Sequence, residues 1–247
     1  MIDFAGLALG AIGFLIGGIL KGATGAGAPI IAVPLLSIFY SVPLAVATLT
    51  VPSLLANLYQ IVVYRRSLGS PGFALALTLS GAAGAAVGSV LLVVLSADVL
   101  MVAVAVLVYG YVGFRVFNPA WQLTQRAASR IVLPVGLLAG VLQGSAGLSG
   151  PATLTFLNAM RLDRPRFIAV VSCHFAGMAV VQIPALVAVG VMTLERLGLS
   201  ALACVPLFGA MPIGAWLAKR LSKRAFDRVM LTLLTLVATR LLIEALG

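Results

Sequence analysis

Acidic side chains are scarce: Asp and Glu number six in 247 residues, against 16 Lys and Arg. None lies mid-way through an apolar run; Asp98, Asp163, Glu195 and Asp227 fall at predicted helix ends or in loops. This argues against a carboxylate cation site and against a carboxylate proton relay. Cysteine is limited to Cys173 and Cys204, both inside apolar runs, so neither a disulfide framework nor a metal site is expected. The single histidine, His174, has no evident acidic partner. No P-loop occurs, and Gly144-Ser145-Ala146-Gly147 is not a nucleophile elbow. An enzyme, an ATP-driven pump and a bound cofactor are therefore not expected. Soluble linkers and low-complexity tails are missing too. Met1-Ile2-Asp3 lacks the basic start of a cleaved signal peptide, so the first apolar run is expected to remain in the mature protein.

Apolar residues fill the space these absences leave. They make up 62% of the chain, charged residues 9%, and mean hydropathy is +1.18. A soluble domain is about half apolar and about a quarter charged. Roughly 20 apolar residues cross a bilayer as a helix, so lipid is the expected solvent for most of the chain. The net charge of +10 does not point to nucleic acid, because the basic residues sit in short connections between apolar runs. The expected partners are the lipid bilayer and a small solute; homo-oligomerisation is left open.

The apolar segments run over about 4–20, 28–40, 43–63, 72–95, 98–117, 130–142, 151–160, 165–191, 199–218 and 226–246. Two pairs fall short of spanning length, and each surrounds a glycine-rich break: Lys21-Gly-Ala-Thr-Gly-Ala-Gly-Ala-Pro29 and Gln143-Gly-Ser-Ala-Gly-Leu-Ser-Gly-Pro151. A shift of 122 positions aligns Gly18 with Gly140, Gly22 with Gly144, Gly25 with Gly147 and Pro29 with Pro151. The same shift pairs Pro43 with Pro165, Ala47 with Ala169, Gln60 with Gln182 and Ile61 with Ile183. The chain reads as a duplication: a first membrane repeat over 1–117, a basic cytoplasmic connection over 118–129 and a second repeat over 130–247.

Charge then selects a topology. If each broken pair is one crossing, Arg65, Arg66, Arg115, Arg126, Arg130 and Arg196 fall on one side. Arg161, Arg164, Arg166, Lys219, Arg220, Lys223, Arg224 and Arg228 fall on the other, which is no bias. If each pair enters and returns, 13 of these 14 share one side and only Arg196 lies opposite, as the positive-inside rule requires. The alternative is a kinked long helix. But 37 residues over 4–40 make about 55 Å of helix against a core of about 30 Å. The expected fold is an all-α integral membrane protein of two inverted-topology repeats, each a re-entrant or broken helical hairpin plus three transmembrane helices. Both termini are then non-cytoplasmic, in a multi-pass protein of the cell (inner) membrane.

Interrupted helices in inverted repeats form midplane sites in transporters. Irregular backbone in lipid is tolerated where protein or a water-filled cavity surrounds it. Helix N-termini after the breaks favour anions, Pro29 and Pro151 suit the first helical position, and glycine permits close approach. Lys21 would add a charge; the alternative is that it lies shallow and snorkels. The expected site comprises Lys21, Gly22, Thr24, Gly25, Gly27, Gln143, Gly144, Ser145, Gly147 and Ser149. The hydroxyls of Thr24, Ser145 and Ser149 could instead bond between helices. Ser53, Asn57 and Gln60 share a helix face, matched by Ser172, His174 and Gln182. Asn57, Gln60 and Gln182 join the site, the two glutamines meeting near the axis or acting as packing contacts. His174, with an ordinary pKa of about 6.5, would suit proton coupling; the alternative is a structural hydrogen bond. Gly81, Gly84 and Gly88, with Gly209 and Gly214, read as packing surfaces.

The stretch from Gly17 to Leu36, with its glycine-rich break before Pro29, resembles the N-terminal signature of the sulfite exporter TauE/SafE family, and Gly140 to Pro151 resembles that family's repeat. Leu148-Ser149 stand where the family often has more glycine. The resemblance covers nearly the whole chain and implies transport, often outward, of a small sulfur-containing anion such as sulfite or an organosulfonate. A secondary transporter working by alternating access is expected; a passive anion channel and a non-transporting membrane assembly partner are the alternatives.

Overall fold

In a computed structural model, the structure describes residues 4–26, 28–37, 39–118 and 121–220, and further on 231–232, 235–236, 238–239 and 242–243. The elements are α1 (Phe4–Thr24), α2 (Ala28–Ser37), α3 (Val42–Tyr64), a 3-10 turn (Arg65–Ser67), α4 (Pro71–Val94), α5 (Ala97–Phe117), α6 (Gln125–Ala146), α7 (Gly150–Ala159), α8 (Arg164–Ala188) and α9 (Leu194–Arg220). The described residues between 231 and 243 are also helical, and there Thr239 bonds Tyr109 of α5 at 2.5 Å. Most of the apolar segment at 226–246 lies outside the described residues, as do Lys223, Arg224 and Arg228. Among the described residues no strand occurs, and five helices are long and apolar enough to cross a membrane. The protein is an all-α integral membrane protein.

Local chemistry sets the boundaries. Ser41 accepts from Leu44 N at the start of α3, Thr124 from Ala127 N at α6 and Asp163 from Arg166 N at α8, each satisfying one orphan donor of the first turn. Thr124 explains why α6 begins at Gln125 rather than near 130. At the other end, α1 and α6 persist through Lys21 and Gln143. They stop at Gly25 (φ +80°) and Gly147 (φ +68°), whose N–H groups bond Lys21 O and Gln143 O at 2.8 Å each. A left-handed glycine ends a helix cheaply. The interruptions therefore begin only at Gly25 and Gly147, and Lys21 and Gln143 sit in the last helical turns before them.

Packing runs between the halves. α1 packs along α9 and α6 along α4; α8 packs on α4 and α3 on α9; α3 and α8 pack on each other. Exchanging first-half for second-half elements maps this pattern onto itself. Glycine makes the α1–α9 and α6–α4 contacts close. A Cβ on Gly22 would meet Met211 O at 1.9 Å and one on Gly144 would meet Ala85 O at 2.4 Å. Likewise Gly214 faces Ile19 O at 1.9 Å and Gly88 faces Val141 O at 2.3 Å. Gly81 and Gly84 pack in the same seam, against His174 and against Leu137 O. Among the described residues Gly209 has no atom within 4 Å of such a Cβ, so none of the described helices packs closely on it.

The connections gather at two ends of the bundle. Gly69, after α3, lies against the Arg166 guanidinium. Leu123 N bonds Ala159 O at 2.8 Å, and Arg164 Nη2 bonds Ala23 O at 3.1 Å. The loops after α3, α5 and α7, with the tip of α1, thus share one end and bring Arg65, Arg66, Arg161, Arg164 and Arg166 together. At the other end Ser200 of α9 donates to Thr48 O and accepts from Val51 N, near Arg196. Leu79, Leu138 and Val205 are exposed apolar residues on the outer faces of α4, α6 and α9, as lipid contact requires.

Candidate functional site

The first interruption is organised around Lys21, which is 2% exposed. Its Nζ donates to Gly25 O at 2.9 Å and to Asn57 Oδ1. Asn57 is oriented for this by its own amide, which donates to Ser53 O at 2.7 Å and Ser53 Oγ at 3.3 Å. Gln60 Nε2 donates to Lys21 O at 3.3 Å, and its oxygen accepts from Ser172 Oγ at 3.0 Å. The Phe175 ring lies 5.7 Å from Nζ, within cation–π range. Among the described residues the partners of the Lys21 ammonium are thus two neutral oxygens and a ring face, with no carboxylate. An ammonium has three N–H groups, so one is left for another acceptor. A shallow Lys21 reaching the surface is not what the structure has.

The second interruption repeats the frame without the charge. Gln182 Nε2 donates to Gln143 O at 3.1 Å, the counterpart of the bond from Gln60 to Lys21 O; each spans 39 positions. The Gln143 side chain is bonded at both its oxygen and its nitrogen. Its Oε1 accepts from Ser149 N at 3.3 Å and Ser149 Oγ at 2.7 Å, and its Nε2 donates to Gln182 Oε1 at 3.2 Å. Ser149 thus closes the second tip onto a neutral amide, and Leu148 beside it is completely buried.

The two glutamines do not meet. Gln60 bonds at the level of Ser172 on α8, and Gln182 lies ten residues further along that helix, about 15 Å by helical rise. Each serves its own interruption. Gln60→Leu and Gln182→Leu are each expected to lower stability by about 2–3 kcal/mol, because buried polar partners are left unpaired. The double variant should show the sum, since separated sites add. Unfolding midpoints of the four proteins in detergent would check this, and marked non-additivity would mean that the two networks are coupled.

The remaining candidates divide by surroundings. Gly25 and Gly147 dock against Ile168 of α8 and Val46 of α3, equivalent positions in the two halves. Gly22 and Gly144 face helix backbone, as above. Thr24 Oγ1 donates back to Leu20 O at 2.8 Å and accepts from Ala26 N at 3.1 Å, and Ser145 Oγ donates to Val141 O at 2.8 Å. Gly27 lies outside the described residues. α2 and α7 begin at Ala28 and Gly150, so Pro29 and Pro151 are second in their helices. His174 is buried on α8. Its Nδ1 bonds Leu77 O at 2.9 Å, and its Nε2 has no partner among the described residues.

Two participants escaped the sequence reading. Phe175 is the residue that the shift of 122 assigns to Ser53, so the repeat itself carried the signal. Arg164, counted only as a loop charge, reaches the last turn of α1 through Ala23 O.

A family model described as Sulfite exporter TauE/SafE matches residues 9–241 of the chain. No curated protein and no solved structure shows a significant match to it.

Proposed function

Because this chain belongs to the sulfite exporter TauE/SafE family, whose members are membrane transporters of anions rather than enzymes, we propose that it exports a small sulfur-containing anion, sulfite or an organosulfonate, as a secondary transporter. The observation that carries the site is Lys21: a buried ammonium beside a helix interruption, with no carboxylate among its partners in the described residues. A buried charge without a counter-ion is costly, and an anion would relieve that cost. Asn57 and Gln60 hold Lys21 in place. The start of α2 supplies backbone donors, and Thr24, Gly25 and Gly27 are assigned to the site beside it. Gln143, Gly144, Ser145, Gly147, Ser149 and Gln182 form the neutral half of the site.

Lys21, Asn57 and Gln60 are all nearly inaccessible, so this conformation corresponds to a closed site that opens when the halves move. The exchange-symmetric packing supports two inverted repeats, over 1–117 and 130–247, moving against each other around α3 and α8. The basic end of the bundle then faces the cytoplasm by the positive-inside rule, and both termini lie outside. His174, whose Nε2 has no partner among the described residues, sits inside the α4–α8 contact and is the candidate for proton coupling.

Thermal unfolding of purified protein against sulfite, sulfate, thiosulfate, sulfonates, carboxylates and cations tests this reading. A ligand at a hundredfold its Kd stabilises by about 2.7 kcal/mol. Saturable stabilisation by sulfite or a sulfonate alone is expected. Stabilisation by carboxylates alone would keep the anion site and change the substrate. No response to any anion would overturn the site.

A further inference from the structure

Arg161, between α7 and α8, is the one non-glycine residue among the described residues with left-handed backbone (φ 49°). Glycine fits such a helix exit without strain, so the arginine there carries a backbone cost that glycine would not. Its turn is fixed by Met160 N on Leu157 O at 3.3 Å and Arg161 N on Asn158 O at 3.1 Å. The side chain lines a cavity of about 370 Å³ at the basic end of the bundle, with Asn118, Thr155 and Asn158 adding polar groups and Trp121 and Phe114 forming an aromatic wall. Those two rings meet edge to face, 5.2 Å apart. With its amide oxygen turned toward the guanidinium, Gln122 accepts from Arg161 Nε and Nη1 at 3.2 Å each and from Nη2. This partner holds the fork but is neutral, and one oxygen does not use five N–H groups. The nearest acid along the chain, Asp163, is engaged at the start of α8 by Arg166 N at 3.3 Å.

We propose that this cavity is a second anion site, separate from Lys21, which binds a phosphate or sulfonate oxyanion on the Arg161 fork, with the Asn118, Thr155 and Asn158 side chains around it. The same chemistry fits a free oxyanion and the phosphate of a lipid headgroup. A guanidinium presents paired donors matched to such a group.

Trp121 reports on the cavity directly. The chain has two tryptophans, so Trp216→Phe leaves Trp121 as the single emitter. That protein would be titrated with sodium phosphate in detergent, and compared in nanodiscs of phosphatidylcholine with and without phosphatidylglycerol. A saturable change in Trp121 emission is expected. A response to phosphate alone marks a free-anion site, and a response to phosphatidylglycerol alone marks a headgroup site. Arg161→Gly should shift the midpoint at least tenfold while the melting temperature holds or rises, because glycine suits that backbone. Asn158→Ala, which leaves the backbone bonds of the turn in place, should shift it in the same direction by a smaller factor. No emission change with either probe, or midpoints unchanged in both variants, would overturn the proposal.

Discussion

A Lys21→Met protein is expected to bind its anion about thirtyfold more weakly, the equivalent of roughly 2 kcal/mol for a charged hydrogen bond, while still folding. Methionine keeps the length and flexibility of the lysine stem and fills the same space between α1, α3 and α8. Two effects on stability oppose each other. Removing a buried ammonium that no carboxylate of the described residues balances lifts a desolvation cost. Removing its N–H groups leaves Gly25 O and Asn57 Oδ1 without their donor, at about 1–3 kcal/mol each. Lys21→Gln separates charge from hydrogen bonding, because it installs the residue that the second interruption already uses. It should lose as much affinity as the methionine variant and less stability. Isothermal titration with sulfite, beside melting temperatures, reads both quantities. Equal affinity in all three proteins would remove Lys21 from the site. A loss in the methionine variant alone would make Lys21 a hydrogen-bond donor rather than a counter-charge.

The burial of Lys21 was legible before any coordinates, in a lysine that opens a glycine-rich break inside an apolar run, although a shallow, snorkelling side chain fitted the same pattern. The equivalence of Gln60 and Gln182 was legible too, since one shift aligned both them and the breaks. What they do was not. A shift pairs positions without saying which carbonyl an amide reaches, and here each amide reaches the last turn of its own half's first helix. The ends of α1 and α6 were misread for a related reason. Glycine runs look like breaks along their whole length, but among their described residues only Gly25 and Gly147 adopt the left-handed backbone that ends a helix; Gly22 and Gly144 continue it and pack. The alignment also stopped short of the fourth helices. Gly88 and Gly214 correspond only after the shift grows by four positions, beyond the turn between α8 and α9. Their equivalence emerges from the carbonyls they face, Val141 O and Ile19 O, which are themselves related by the original shift.

Those packed glycines carry the largest expected loss of stability. Gly22→Ala would place a methyl 1.9 Å from Met211 O, and Gly214→Ala would place one 1.9 Å from Ile19 O. Both obstacles are backbone, so no side-chain rotation relieves them, and α1 and α9 must separate. Overpacking costs about 1–3 kcal/mol and sometimes more; with contacts this short, each variant is expected at or above about 3 kcal/mol. The double variant should cost less than the sum, because a helix already displaced by one methyl has room for the other. Gly209→Ala on α9 is the control. No atom of the described residues lies within 4 Å of its Cβ, and alanine favours helix over glycine by up to about 1 kcal/mol, so its melting temperature should hold or rise. Measured together, melting temperature and sulfite affinity also decide the place of Gly22. If Gly22→Ala loses both, its role is to let α1 approach α9. If it loses affinity at an unchanged melting temperature, the two helices are not in backbone contact there, and Gly22 belongs to the anion site beside Lys21.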